Sequence, residues 1–348
     1  MHIIYGICGE GLGHVGRSLT IIQRLQDAGH EVDICTSDDA YKFVEQSSNF
    51  PKERLHRIIG LRFVIKNNAV NTLATVADFI ECHRELNEGV NKVKKLALEK
   101  DVKLFITDFE PVVPRVAAKM SLPLVSIDNQ HYFLRKQQQL PLFLKTYCFF
   151  ASIYLRWLVP AAKLAVICAF HEDKDDSRGR FRMVRPIIRE KIIQKAVTKK
   201  DHILIYIKPH MLIKVLSVLR QIKDQQFIVY GVAQFANNNN IVFKDVSDDE
   251  FISDLASCKG VVCSAGNQLI GECVYLGKPL LVLPMANQHE QTINAFYVKK
   301  EKFGESCVLQ DFSVERLQRF LNTSYSRAEA GTNGADQVMT LLQPFLQN

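Results

Sequence analysis

Short apolar runs alternate with amphipathic stretches along most of the chain. Ile3-Ile4-Tyr5-Gly6-Ile7-Cys8 is apolar without alternation, the pattern of a strand buried on both faces. A glycine-rich turn follows, and then Leu19, Ile22 and Leu25 recur at helical spacing until Gly29, placed for a C-cap. Glu31 to Thr36 reads as the next strand. The same alternation predicts further strands near 58–65, 103–107, 122–127 and 163–169 in a first half. A second half repeats it near 202–207, 226–230, 241–243, 260–263, 279–283 and 306–309. Strands separated by helical patterns imply parallel sheets, because parallel neighbours need a crossover long enough to hold a helix. The fold class is therefore α/β. Charge rises and predicted strands stop between Arg178 and Lys200, with Pro186 marking the crossing. This gives an N-terminal domain over 1–183 and a C-terminal domain over 184–348. The last helical stretch, Gln337 to Leu346, is placed to return to the first domain.

The densest chemistry lies in the second half. Val261-Val262-Cys263 reads as a buried strand and runs into Ser264-Ala265-Gly266-Asn267-Gln268-Leu269-Ile270-Gly271-Glu272. Gly266 lets backbone N–H groups approach a phosphate, and the positive end of the following helix favours the same charge. The carboxylate of Glu272 is suited to the hydroxyls of a ribose. A second apolar strand, Leu280 to Leu283, ends at Pro284, and the loop beyond presents Gln288, Glu290 and Gln291. Each piece alone fits an ordinary strand–loop–helix unit. In this order and spacing they suit a nucleotide-sugar.

These residues resemble the donor-binding segment of GT-B glycosyltransferases, the superfamily of the UDP-glycosyltransferases and the bacterial peptidoglycan N-acetylglucosaminyltransferase. The resemblance implies two Rossmann-like domains whose parallel sheets face each other across a cleft, the first binding the acceptor and the second the donor. It implies that the loop from Ser264 to Gln268 meets the diphosphate, that Glu272 binds the ribose, and that Glu290 and Gln291 bind the donor sugar. Many UDP-glycosyltransferases open this loop with a phosphate-contacting His. Ser264 stands there instead, so backbone amides and a hydroxyl are expected to hold the phosphate.

The N-terminal turn, Gly9-Glu10-Gly11-Leu12-Gly13-His14, departs from the G-x-G-x-x-G dinucleotide fingerprint. Asp38 and Asp39 match its acidic partner only loosely. In the resembling families Gly-x-Gly-His at this turn frames the acceptor site, which assigns Gly11, Gly13 and His14 to it. A His suits the removal of a hydroxyl proton because its unperturbed pKa lies near operating pH. Leu104-Phe105-Ile106-Thr107 delivers Asp108 to the same sheet edge, and the resemblance implies a His14–Asp108 pair. Glu110 is the competing base, and a capping role for Asp108 ahead of Pro111 is the structural alternative. Another strand end, Asp128-Asn129-Gln130-His131, suits an acceptor surface or a solvated loop.

At 348 residues and 47% apolar content the chain can build two cores. Its net charge of +7 is diffuse and lacks the aromatic–basic motif of an RNA-binding module, so no nucleic-acid partner is expected. That sign suits anionic lipids or phosphorylated substrates. Nine cysteines without C-x-x-C spacing suggest reduced thiols in a cytoplasmic protein and no metal. The chain begins directly in a strand, so no signal peptide is expected. Leu140 to Ala162 carries Phe143, Tyr147, Phe149, Phe150, Tyr154 and Trp157, interrupted by Lys145 and Arg156. It is too broken to span a membrane and reads either as a membrane-surface helix or as a buried one. Asp173-x-Asp175 matches a metal-binding pattern, in a run that reads better as a solvated loop.

The expected function is an inverting, metal-independent hexosyltransferase. It would move sugar from a UDP-sugar co-substrate, with no other cofactor, to a hydroxyl of a lipid-linked or cell-envelope glycan at the inner face of the cytoplasmic membrane. Two alternatives share the fold: a nucleotide-sugar 2-epimerase and a non-catalytic nucleotide-sugar binding protein.

Overall fold

The computed structural model describes residues 1–47, 50–60, 64–66, 69–70, 83–135, 139–160, 162–172, 179–232, 240–245, 248–325 and 333–347. The chain forms two compact units. One comprises Met1–Val64, Asn71–Ile187 and Thr332–Asn348; the other comprises Ile65–Val70 and Ile188–Gly331.

The first unit holds a seven-stranded sheet in the order β3-β2-β1-β6-β7-β8-β9, parallel throughout. Its strands are β1 His2–Ile7, β2 Glu31–Thr36, β3 Leu55–Arg57, β6 Leu104–Asp108, β7 Leu124–Asp128, β8 Leu164–Cys168 and β9 Phe181–Val184. Its helices are α1 Leu12–Asp27, α2 Asp38–Gln46, α3 His83–Glu99, α4 Val112–Met120, α5 Leu142–Leu158 and α12 Gly334–Leu346. In the second unit β4 Ile65–Lys66 and β5 Ala69–Val70 make a small antiparallel pair. Its main sheet runs β12-β11-β10-β13-β14-β15, again parallel. These strands are β10 Ile203–Tyr206, β11 Phe227–Tyr230, β12 Ile241–Lys244, β13 Gly260–Cys263, β14 Leu280–Val282 and β15 Gly304–Ser306. The helices around them are α6 Glu190–Ile193, α7 Leu212–Leu219, α8 Asp248–Ser257, α9 Asn267–Tyr275, α10 His289–Lys300 and α11 Val314–Asn322.

Both faces of the first sheet are covered, which explains why β1 reads as an unbroken apolar run. Ile3, Tyr5 and Ile7 point to one side, where Val15, Ile22 and Leu25 of α1 meet Val338 and Leu342 of α12. Ile4 and Cys8 point to the other, against Leu86, Val90 and Val93 of α3 and Val112 and Val116 of α4. Each such apolar side chain contributes about 1.5–3 kcal/mol when taken from water. The C-terminal helix thus completes the core of the first unit. Gly334 is required at its start, because an added Cβ would lie 1.8 Å from the carbonyl oxygen of Arg185.

Three strands differ from the sequence reading. The one expected near 58–65 forms earlier, at Leu55–Arg57, where it pairs with Ile34, Cys35 and Thr36. The last strand sits at Gly304–Ser306 rather than 306–309, because Leu309–Asp311 close a 3-10 turn. β9 lies inside the stretch expected to be strand-free. It is an edge strand, largely half-exposed, and its Arg182 hides the apolar signal.

Helix α5 settles its own reading by having two faces. Leu144, Cys148 and Leu155 are each 1% exposed, whereas Phe143, Phe149 and Phe150 are 62–63% exposed and Trp157 is 47% exposed. It is therefore not a fully buried core helix. Among the described residues, no helix is long and apolar enough to cross a membrane.

Candidate functional site

In each sheet there is one place where neighbouring strands send their connections in opposite directions, and a crevice opens there at the carboxyl ends. In the first sheet that place lies between β1 and β6. Ile7 pairs with Asp108 across it, and the N–H of Cys8 donates to the Asp108 carbonyl at 2.9 Å. The chain leaves β1 through Gly11, whose φ of 79° suits glycine and whose Cα faces open space. Gly13 and His14 lie in the first turn of α1. His14 is thereby set beside Asp108, with its Nδ1 2.7 Å from Oδ1.

Asp108 is fully buried and accepts several donors at once. Arg17, one turn beyond His14 on α1, donates from Nε to Oδ2 at 2.7 Å and from Nη2 to Oδ1 at 2.6 Å; the hydroxyl of Ser18 donates to Oδ2 at 3.0 Å. Burial disfavours its charged form, yet the Arg17 guanidinium and His14 outweigh burial and hold the carboxyl at about 2. An ionised carboxylate only accepts, so the His14 proton sits on Nδ1 and Nε2 carries the lone pair. Arg17 Nη2 also lies 2.8 Å from His14 Nδ1. In the opposite tautomer Nδ1 would accept from this guanidinium N–H, so Asp108 and Arg17 compete for the same ring nitrogen and the ionised carboxylate at 2.7 Å favours the proton on Nδ1. The His14 side chain is 17% exposed, so the ring edge remains reachable.

Phe109 occupies the left-handed region at φ 54°, which costs a bulky residue of the order of 1–3 kcal/mol. Its ring stacks beside His14 at a centroid distance of 6.2 Å. Glu110 is 1% exposed and accepts from the N–H groups of Val112 at 2.7 Å and Val113 at 3.0 Å, and from the Thr107 hydroxyl at 3.2 Å. Burial pushes its carboxyl up to about 7 against those donors. Its oxygens thus serve the start of α4, and Gly6 leaves the room it needs. The capping role considered for Asp108 belongs to Glu110.

The strand end at Asp128 is not a solvated loop. Asn129, Gln130 and His131 are all buried, at 4%, 5% and 1% exposure. His131 turns back on Asp128, with Nδ1 2.7 Å from Oδ2 and its backbone N–H donating to Oδ1 at 2.8 Å. Asp128 and His131 thus satisfy each other inside the fold.

In the second sheet the corresponding place lies between β10 and β13. β13 ends there in Ser264, Ala265 and Gly266, and α9 begins at Asn267. Gly266 has an ordinary φ of −74°, and a Cβ there would meet nothing within 4 Å. Its glycine therefore keeps space open rather than relieving strain. The N-cap position of α9 is Gly266 itself, which has no side chain to cap with. Asn294 on α10 donates to the Ala265 carbonyl at 2.9 Å and ties that helix to the loop. Gln288 caps α10 by accepting from the Gln291 N–H at 2.7 Å, and Gln291 Oε1 accepts from the Met285 N–H at 2.8 Å. Glu290, half-buried, lies between them in the first turn.

Glu272 is the sixth residue of α9 and only 1% exposed. Its oxygens receive Arg189 Nε at 2.8 Å and Nη2 at 3.0 Å, while Gln268 Nε2 donates to Oε1 at 2.9 Å. Arg189 also pairs with Asp248. Sequence reasoning missed Arg189 and Arg17, because each reaches a carboxylate distant in sequence. The i, i+3 spacing of His14 and Arg17 on one helix face was the available signal for the latter. Asp173 and Asp175 lie outside the described residues. The eight cysteines among the described residues are buried and form no disulfide with one another.

Comparison with known proteins gives these sites a context. An uncharacterised glycosyltransferase of Methanosarcina acetivorans is 24% identical over 326 residues, covering 87% of this chain and 85% of that protein. Among solved structures, the calicheamicin glycosyltransferase CalG4 superposes with a TM-score of 0.68 at 15% identity, covering 100% of this chain and 98% of that one. The spinosyn rhamnosyltransferase SpnG complexed with thymidine diphosphate gives 0.64 at 13% identity, with 100% of each chain covered. These likenesses establish the GT-B fold, two Rossmann-like units each with a parallel sheet. The model of the family described as glycosyl transferase family 1 matches residues 1–324, nearly the whole chain, and the protein therefore belongs to that family of glycosyltransferases.

Proposed function

We propose that the protein transfers a hexose from a UDP-sugar to an acceptor hydroxyl with inversion at the anomeric carbon and without a metal, His14 being the base. The observation that carries this reading is the His14–Asp108 pair, 2.7 Å apart at the carboxyl-edge crevice of the first sheet. The acceptor O–H gives its proton to Nε2 as its oxygen attacks the anomeric carbon. The bond from that carbon to the diphosphate oxygen breaks on the opposite side, so one displacement inverts the centre. Asp108 stabilises the imidazolium that forms. The departing diphosphate gathers negative charge, and the Ser264–Gly266 loop at the start of α9 brings backbone and the positive end of a helix dipole to it. A nucleoside diphosphate at this place finds support in SpnG, which shares the fold and is solved with thymidine diphosphate.

Glu272 takes the ribose in this reading, with Glu290 and Gln291 facing the sugar. Its carboxylate is already bound by Arg189 and Gln268, so the ribose hydroxyls exchange with one of these contacts. Replacing Glu272 with Gln is expected to weaken UDP binding by about 1.5–3 kcal/mol, the scale of a charged hydrogen bond. Calorimetric titration with UDP checks this, alongside TDP to read the base. An unchanged UDP affinity would remove the ribose assignment.

The acceptor we propose is membrane-borne. The exposed aromatic face of α5 lies in a stretch that contains no acidic residue between Asp128 and Glu172 yet carries Arg135, Lys136, Lys145, Arg156 and Lys163. Exposed aromatic side chains in a stretch with a basic excess suit the interface of an anionic bilayer. Wild-type protein should sediment with phosphatidylglycerol-containing liposomes. The triple change Phe149→Ser, Phe150→Ser, Trp157→Ser should release it without unfolding, because only buried aromatics cost about 3–5 kcal/mol each when removed. Wild-type protein that stays in the supernatant would rule the membrane contact out.

A further inference from the structure

We propose that Arg17 is a positioning residue for sugar transfer: its bidentate clamp fixes the Asp108 carboxylate so that His14 presents Nε2 as the acceptor of a proton. The proposal rests on the reading of His14 as the base. Arg17 does not meet substrate. Its side chain is 4% exposed and that of Asp108 is 0% exposed, so the guanidinium fork is spent inside the protein. Nε and Nη2 grip the two oxygens separately, which fixes the carboxylate plane as well as its charge. Ser18 shares Oδ2, and His14 takes Oδ1.

The consequence follows from proton placement. Burial alone favours a neutral carboxyl. A neutral Asp108 has an O–H that donates to Nδ1, and the single imidazole proton then sits on Nε2. A ring in that tautomer cannot accept a proton from the acceptor hydroxyl. An ionised Asp108 forces the opposite arrangement, and Arg17 is the buried cation that keeps it ionised. The other titratable groups facing this pair are Tyr5 and Cys8 on β1, Asp128 on β7 and Cys168 on β8. Burial pushes Tyr5, Cys8 and Cys168 up, so these three stay neutral. Asp128, held by His131, is negative and cannot replace the clamp.

The test is a double-mutant cycle read by steady-state kinetics. Arg17→Gln should lower kcat by roughly 10–10³-fold, with donor KM and UDP affinity within about threefold of wild type. The acid limb of its kcat/KM profile should move to higher pH, since Asp108 then protonates more readily. Arg17→Lys should restore part of kcat and draw the limb back. In a His14→Ala background Arg17→Gln should change turnover by less than about threefold, because the group it acts through is gone. An equal loss in both backgrounds would overturn the proposal and leave His14 as the base. Wild-type turnover in His14→Ala alone would overturn the base reading instead. Thermal melting accompanies each variant. Should Arg17→Gln fail to fold, wild-type kcat and an unshifted limb in Arg17→Lys would overturn the proposal.

Discussion

Replacing His14 with Ala is expected to lower turnover by roughly 10²–10⁴-fold while UDP affinity stays near that of wild type. The split follows from the placement of the two sites. His14 and Asp108 belong to the first unit, while the Ser264–Gly266 loop, Glu272 and Gln291 belong to the second. Loss of the ring removes a proton acceptor without touching a donor contact. Fold should survive, because His14 is partly exposed and its removal leaves Asp108 with Arg17 and Ser18. Single-turnover measurement with saturating donor reads the chemical step directly. Near-normal rates would pass the role to Glu110, whose carboxyl burial already holds at about 7. That outcome would require Glu110 to release the N–H groups of Val112 and Val113.

The second large effect falls on stability as well as rate. Asp108→Ala should destabilise the first unit by about 3–5 kcal/mol, because it leaves the Arg17 guanidinium buried without its anion. Asp108→Asn keeps the shape and should cost less, while turnover falls in both. The contribution also depends on pH in a definite sense. Asp108 titrates at about 2 in the folded protein against an ordinary value of 3.8. The folded state therefore prefers the ionised form, and the stabilisation is complete above 3.8 and lost as pH falls through 2. Urea denaturation at neutral pH and again near pH 3 should show the gap between wild type and Asp108→Asn narrowing in acid. A gap that stays constant would mean that the Asp108 charge does not stabilise the fold.

Much of this was legible in the chain, for reasons that can be named. Buried parallel strands have to be apolar on both faces, so β1, β6, β10 and β13 announce themselves as short unbroken runs. Loops that leave their carboxyl ends are free of that demand, so Gly11, His14, Asp108 and Gly266 stand out against them. β9 was missed because an edge strand needs to bury little, and Arg182 fits it at no cost. The polar run from Asp128 to His131 left an acceptor surface and a solvated loop both open, because sequence cannot distinguish polar groups that meet solvent from ones that satisfy each other internally. Asp128 and His131 do the latter. Arg17 and Arg189 were passed over for a related reason. Each reads as a surface charge until the fold brings Asp108 or Glu272 to it, and those partners lie 91 and 83 residues away. α5 joins an apolar inner face to an apolar outer face, and periodicity alone gives no sign of which half is covered.

The central claim is that this chain moves a sugar from a nucleotide donor to a hydroxyl. Mass spectrometry of products after incubation with mixed UDP- and TDP-sugars and a membrane extract tests it most directly. A new glycosylated species should appear that carries one added hexose, forms only with donor and extract together, and is strongly diminished with His14→Ala protein. Conversion of the donor to an epimer without extract, or binding of UDP with no new product from any donor, would contradict it.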